Sequence, residues 1–254
     1  MLEKQNIQKI QPYQRLAAYY DNLMDYIDYD IWVDDIEELV KPFNPGSDWL
    51  DISCGTGSMA IRLAKHGIRM TAVDLSADMI EIARRKATDD KVEIQFDTGN
   101  MTNYSSDQKF DVIINLHDGL NYLLESKDIQ AFMKNTHSLL KPGGIVLFDV
   151  VTPLLCQTHF RGYREIFSDE AGGYERYTSY DPESRLAESV FTLNTSDQNT
   201  VDVESHIQKA YEQDEVEGFC EASPYDWWQL MDDETLEEAT DKSERYLVML
   251  RKSS

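Results

Sequence analysis

From residue 48 onward the chain alternates between two hydrophobic periods. Short apolar runs at 49–52, 69–73, 92–96, 110–116 and 145–151 have strand length and end in turn residues. Between them, 56–65 and 129–140 repeat apolar residues three and four apart. So does the stretch behind Ser76, which places Met79, Ile80, Ile82 and Ala83 after a residue suited to cap a helix. Strict βα alternation of this length predicts a parallel sheet with helices on both faces. Ahead of it, 13–40 reads as helical, with Leu16, Tyr20, Leu23, Tyr26 and Ile27 on one stripe, until Pro42, Pro45 and Gly46 break the pattern.

After residue 154 the period changes. Residues 155–210 are rich in aromatic and β-branched residues, with turn signals at Gly172-Gly173, Asp181-Pro182 and 195–199, and predict three or four antiparallel strands. A helix at 212–221 and strands at 226–231 and 245–250 resume the first pattern. The expected fold is α/β: a doubly wound, Rossmann-like, mostly parallel seven-stranded sheet. Residues 1–154 and 211–254 form it, and 155–210 form an inserted antiparallel β cap on the substrate side.

Chemistry concentrates at the first strand-to-helix turn, Asp51-Ile52-Ser53-Cys54-Gly55-Thr56-Gly57. Glycines there allow positive φ and leave no Cβ between backbone and ligand, and the following helix offers free N–H groups. Gly55 and Gly57 with Ala60 fit the dinucleotide fingerprint, a weak signal alone. A pyrophosphate is repelled by a carboxylate such as Asp51, whereas an ammonium or sulfonium is attracted by it. Asp74 ends the second strand, where a carboxylate accepts both ribose hydroxyls of a nucleoside; the alternative is a cap for the helix behind Ser76. The fourth strand runs from apolar residues into Leu116, His117 and Asp118. His117 is the residue there suited to exchange a proton near neutral pH, or else it is a wall of the site. Cys54 beside the glycines reads as packing.

The spelling Asp-Ile-Ser-Cys-Gly-Thr-Gly resembles motif I of the class I S-adenosylmethionine-dependent methyltransferases, with Ser53 in place of the usual glycine. The likeness extends to Phe110-Asp111-Val112-Ile113, to Asp118-Gly119-Leu120-Asn121-Tyr122-Leu123 and to Leu140-Lys141-Pro142-Gly143-Gly144. It includes His206 to Tyr211 and Ser243 to Tyr246. An amino-terminal Tyr-Asp-x-Leu-Met followed by Tyr-x-x-Trp resembles small bacterial methyltransferases of the YqeM type and sugar N,N-dimethyltransferases. The resemblance implies S-adenosylmethionine as cofactor, held by Asp51, Gly55, Gly57 and Asp74. Leu75 and Met79 follow the second strand and Leu116 and His117 end the fourth. Tyr20, Tyr29 and Trp32 would line the site from a lid helix, an aromatic surface favourable to a sulfonium. The adenine edge falls to Asn100 and Met101 where the family usually has an aspartate, or to Asp97 if the motif slips. His117 and Tyr20 are the candidate catalytic residues. In the cap, His159, Arg161, His206 and Gln208 are polar candidates for substrate contact.

Composition narrows the partners. A net charge of −23 over 254 residues opposes a nucleic-acid partner, which needs clustered Lys and Arg. No apolar run is long enough for a membrane span, and the first six residues lack a signal pattern. Three cysteines, Cys54, Cys156 and Cys220, and five histidines show no metal or disulfide spacing. The expectation is a cytoplasmic monomer or homodimer acting on a small-molecule substrate, without metal. The alternatives are a nicotinamide-dependent oxidoreductase and a non-catalytic S-adenosylmethionine-binding module.

Overall fold

The computed structural model describes residues 6–170, 172–194 and 200–253. The first five residues and the turn expected at 195–199 lie outside them. Strand β1 (Asn6–Lys9) comes first, then a 3-10 turn (Leu16–Tyr19), the one-turn helix α1 (Tyr20–Leu23) and α2 (Tyr29–Val40). The βα alternation follows: β2 (Asp48–Asp51), α3 (Ser58–Lys65), β3 (Arg69–Asp74), α4 (Ala77–Asp89), β4 (Gln95–Thr98), β5 (Phe110–Asn115), α5 (Ser126–Leu139) and β6 (Leu140–Val151). Helix α6 (Pro153–His159) leads into β7 (Arg164–Asp169), β8 (Gly172–Asp181), β9 (Leu186–Asn194) and β10 (Thr200–Lys209). Helix α7 (Gln213–Glu221), β11 (Trp227–Asp232) and β12 (Arg245–Arg251) close the chain.

Seven strands form one sheet in the order β11-β12-β6-β5-β2-β3-β4. It is parallel from β6 to β4 and antiparallel where β12 meets β6 and β11 meets β12. From β2 the chain winds outward through β3 and β4, and from β5 it winds the other way. The switch point, where such sheets open a ligand crevice at the carboxyl ends of the strands, therefore lies between β2 and β5. Val33, Ile36, Leu63 and Ile80 from α2, α3 and α4 cover one face. Phe132 and Met133 of α5 and Val216 and Cys220 of α7 cover the other.

Three elements depart from the expected pattern. Residues 13–40 are not one helix, because Asp28 accepts the N–H groups of Asp30 and Ile31 and starts α2 afresh. The third strand begins at Gln95, not at 92: Lys91 adopts φ +58° and the Val92 N–H returns to Ala87, closing α4. The Pro142-Gly143-Gly144 segment does not merely stop a helix. It opens β6, with Gly143 at φ +77° and a register shift opposite Phe110 and Val112.

The insertion folds into the second sheet, order β1-β10-β9-β8-β7. Its outer strand β1 comes from the amino terminus, in parallel register Ile7 to Val201 and Lys9 to Val203. That pairing covers an otherwise open edge and moves residues 6–9 out of the lid and into the cap. Leu16 packs with Tyr174, Phe191 and Leu193 beneath it.

Asn121 joins the two sheets. It is fully buried. Its amide donates to the carbonyl oxygens of Lys209 (2.7 Å) and Val151 (3.3 Å), and its oxygen accepts from the Val151 N–H (3.1 Å). Removing this side chain leaves buried backbone groups without partners, so Asn121→Ala is expected to lower unfolding stability by about 2–4 kcal/mol. Urea unfolding measures this, and a loss below about 0.5 kcal/mol, the level of an ordinary surface substitution, contradicts the role.

Candidate active site

At the switch point lies a cavity of about 670 Å³. Its floor is the β2–α3 turn. Gly55 (φ +53°) and Gly57 (φ +80°) take left-handed conformations that side chains resist. A Cβ on Gly55 would reach within 3.6 Å of the Tyr20 ring, while one on Gly57 would press on Ala83 at 3.1 Å. Gly55 thus lines the cavity, and Gly57 lies outside its wall, letting α3 pack against α4. Gly57, expected from the sequence among the cofactor-binding residues, therefore acts in this turn through packing.

Asp74 holds this turn. One carboxylate oxygen accepts from the Gly55 N–H and the other from the Ser76 N–H, both at 2.8 Å. Ser76 in turn caps α4 by accepting from the Met79 N–H. A carboxylate has about four acceptor positions, so Asp74 keeps capacity for hydroxyl donors while bracing the loop. Asp51 is buried beside it, and its nearest donor is the Ser53 N–H at 3.5 Å. Burial, reinforced by the Asp74 charge, pushes the Asp51 carboxyl up to about 7. Burial likewise raises Asp74. Among the described residues, Asp51, Asp74 and Asp78 line this cavity and no lysine or arginine does.

Leu75, Met79, Asn100, Met101, Leu116 and Tyr29 also line it. The Asn100 oxygen is already engaged, accepting from the Thr102 N–H (2.9 Å) and hydroxyl (2.8 Å). Its amide, a donor, is the part left for a ligand, so of the two ways Asn100 could meet an adenine edge, accepting through its oxygen or donating through its amide, donation is the one left open. Asp97 is exposed and lies outside the cavity wall.

Two further expectations change. Trp32 does not line the cavity. Its ring packs edge-on against His117 with centroids 4.9 Å apart, and Tyr29 does the same at 5.0 Å. Trp32 therefore braces a wall residue from behind. His117 and Asp118 both sit at left-handed φ, +62° and +67°. The buried Asp149 carboxylate holds that strained turn by accepting the Asp118 N–H at 3.1 Å. Burial, with the Arg245 charge beside it, drives the His117 imidazole down to about 3. His117 is thus a neutral wall and not a base for neutral pH. Burial also raises Tyr20 well above an ordinary phenol, so its hydroxyl stays neutral.

A second cavity of about 580 Å³ adjoins the first and shares Tyr13, Tyr20, His117 and Tyr122 with it. Its remaining walls come from α1 and its flank, from α6, from the cap sheet through Arg176, Phe191 and His206, and from Asp118, Glu244 and Arg245 on the main-sheet side. His159 and Gln208 also line it, whereas Arg161 is exposed elsewhere. Sequence reasoning missed Tyr13 and Tyr122, which stand at the junction.

The Asp51 and Asp74 carboxylates fit a ligand with an ammonium group and ribose hydroxyls. Comparison with known proteins agrees. Residues 50–144 match the methyltransferase domain family. Over 245 residues the chain is 32% identical to a methyltransferase-family protein of Geobacillus sp. (strain WCH70), covering 94% of this chain and 99% of that one. The chain belongs to the class I S-adenosylmethionine-dependent methyltransferases. It is also 30% identical to YqeM of Bacillus subtilis (strain 168) over 95% of its length and 97% of YqeM. The crystal structure of an S-adenosylmethionine-dependent methyltransferase from Clostridium acetobutylicum shares the fold. Its TM-score is 0.79 at 24% identity, over 95% of this chain and 99% of that one.

S-adenosylmethionine is the cofactor of the family, and the residues present fit it. Asp51 would hold its ammonium, and the unpartnered, buried Ser53 hydroxyl and His117 Nε2 lie in the same wall. A bound ammonium favours ionised Asp51, so binding releases a proton while pH lies below the free-state value of about 7. S-adenosylhomocysteine affinity should therefore rise between pH 6 and 7.5, by up to about tenfold per pH unit at the acid end. Calorimetry in buffers of different ionisation enthalpy reads the proton release. In Asp51→Asn binding should be weaker and flat with pH; a flat profile in the parent protein contradicts the assignment.

Proposed function

We propose that this methyltransferase transfers the cofactor's methyl group to a nitrogen or oxygen nucleophile of a small molecule held in the second cavity. The single observation that carries the reading is the shared wall of Tyr13, Tyr20, His117 and Tyr122 between the two cavities. A volume of about 580 Å³ suits a small organic molecule rather than a polymer. The acidic surface, net −23, agrees with this.

S-adenosylmethionine, when bound, supplies an electrophilic methyl carbon on a sulfonium. The chain's own residues do the rest by position. Asp51 would hold the ammonium end and Asp74 the ribose, and Leu75 and Met101 would receive the adenine. The rings of Tyr20 and Tyr29 shield the sulfonium side from water and present π-faces to positive charge. The cap and α1 hold the nucleophile in line and exclude solvent, so proximity and orientation supply most of the acceleration. Cys54 takes no part: it is buried, and burial pushes its thiol well up. The insertion, through α6 and the cap strands, sets acceptor choice.

Incubating the protein with methyl-labelled S-adenosylmethionine and a fractionated cell extract tests this. Label should enter the deproteinised small-molecule fraction. Leu155→Trp, which fills the second cavity from α6, should cut that incorporation by more than tenfold while S-adenosylhomocysteine affinity stays within about threefold. Label in protein or nucleic acid instead would refute a small-molecule acceptor.

A further inference from the structure

A hydrogen-bonded chain runs from the cavity junction into the cap. The Tyr13 and Tyr122 hydroxyls are 2.5 Å apart, and the Tyr122 hydroxyl lies 2.9 Å from His206 Nδ1. His206 Nε2 lies 3.2 Å from a Glu204 carboxylate oxygen. Glu204 is fully buried and His206 nearly so. The same carboxylate accepts the backbone N–H groups of Tyr13 (2.6 Å), Arg15 (2.6 Å) and Leu16 (2.9 Å). It thereby fixes Tyr13 at a left-handed φ of +62°, a strained conformation for an aromatic residue. Rings confirm the fit: Tyr13 and His206 centroids are 4.5 Å apart at 70°.

We infer that Glu204, His206, Tyr122 and Tyr13 form a proton relay that takes the proton leaving the acceptor's N–H or O–H group. The inference rests on the second cavity being the acceptor site. The Tyr122 hydroxyl donates to His206 Nδ1, so its oxygen accepts from the Tyr13 hydroxyl. The Tyr13 oxygen is then the acceptor facing the junction. As the nucleophile's lone pair forms the bond to the methyl carbon, the carbon–sulfur pair stays on sulfur, which becomes neutral. The nucleophile's proton passes to Tyr13, the Tyr13 proton to Tyr122, and the Tyr122 proton to His206. His206 ends as imidazolium beside the Glu204 carboxylate. The sulfonium charge is lost and an imidazolium charge gained, so charge balances.

The environment suits each part. Burial opposes ionisation of Glu204, yet the His206 hydrogen bond and the Leu16 and Arg15 N–H groups outweigh it and hold the carboxyl below its usual range. Burial raises both Tyr13 and Tyr122, so they conduct protons as neutral hydroxyls rather than resting as tyrosinates. The charged and titratable groups near His206 are Glu204 on its own strand, Tyr13 and Tyr122 from the facing segments, and Arg176. Arg176 lies over the Phe191 ring, which packs edge-on with His206. Asp74 acts on both tyrosines from the cofactor cavity. Tyr13 touches the acceptor site and is the catalytic residue; Tyr122, His206 and Glu204 act through it. The relay selects a protic nucleophile, a hydroxyl or an amine.

Nitrogen NMR of the histidine-labelled full chain, saturated with S-adenosylhomocysteine, tests the relay without turnover. The His206 Nδ1 resonance should be that of a hydrogen-bond acceptor, with the ring proton on Nε2, and Tyr122→Phe should shift it. A ring proton on Nδ1, or a signal indifferent to Tyr122→Phe, overturns the relay. In the labelled-extract assay, His206→Gln should lower transfer by at least about a hundredfold, with S-adenosylhomocysteine affinity unchanged. An undiminished rate in His206→Gln also overturns it. Lost cofactor affinity in the parent protein would instead refute the reading of the first cavity.

Discussion

Two neighbouring carboxylates, Asp51 buried and Asp74 half-buried, with no basic side chain on the cavity wall among the described residues, set the terms for this site. Burial raises the cost of ionising both, and the Asp74 charge adds to it at Asp51. A protein keeps such a pair only where something outside the fold supplies the opposing charge or the donors. Asp74 meets part of its own need through the Gly55 and Ser76 N–H groups. In doing so it locks the glycine turn and the start of α4. Asp51 has one long hydrogen bond and depends on the ligand. That asymmetry separates an ammonium-bearing nucleoside from a dinucleotide, whose pyrophosphate would meet carboxylates where it needs N–H groups and cations.

The cap depends on the same logic applied once more. Glu204 is a buried carboxylate whose charge is met by three backbone N–H groups and a histidine. Those N–H groups belong to the amino-terminal segment, so one side chain ties the lid to the inserted sheet. Asn121 ties that sheet to β6 of the main sheet. Lid, cap and crevice are thereby registered to one another at their shared wall of Tyr13, Tyr20, His117 and Tyr122.

Much of the framework could be read from sequence because its signals are local. Strands β2, β3 and β5, the glycine turn and the Ser76 cap each follow from a few neighbouring residues. What stayed hidden depends on distant partners. Strand β1 is short and polar, Asn-Ile-Gln-Lys, and exists only because β10 offers an edge. His117 reads as a base in isolation; Arg245 and burial, invisible in the local sequence, remove that ability. Trp32 belongs to the aromatic stripe, yet only packing decides that it backs His117. Asn100 did carry a local clue, since Asn-x-Thr is the spacing of a side-chain-capped turn. Tyr13 and Tyr122 carry no pattern of their own and acquire meaning only when the cap brings His206 to them.

The central claim is that Asp51 recognises the charged amino-acid end of the cofactor and nothing else. Calorimetry on the parent protein and Asp51→Asn, with S-adenosylhomocysteine and with 5′-methylthioadenosine, tests it most directly. The latter keeps adenine, ribose and sulfur but lacks the amino-acid group. The substitution should weaken S-adenosylhomocysteine by roughly ten- to a hundredfold, the worth of one charged hydrogen bond, and leave 5′-methylthioadenosine within about twofold. Equal losses for both ligands would contradict the claim and make Asp51 a support of the turn.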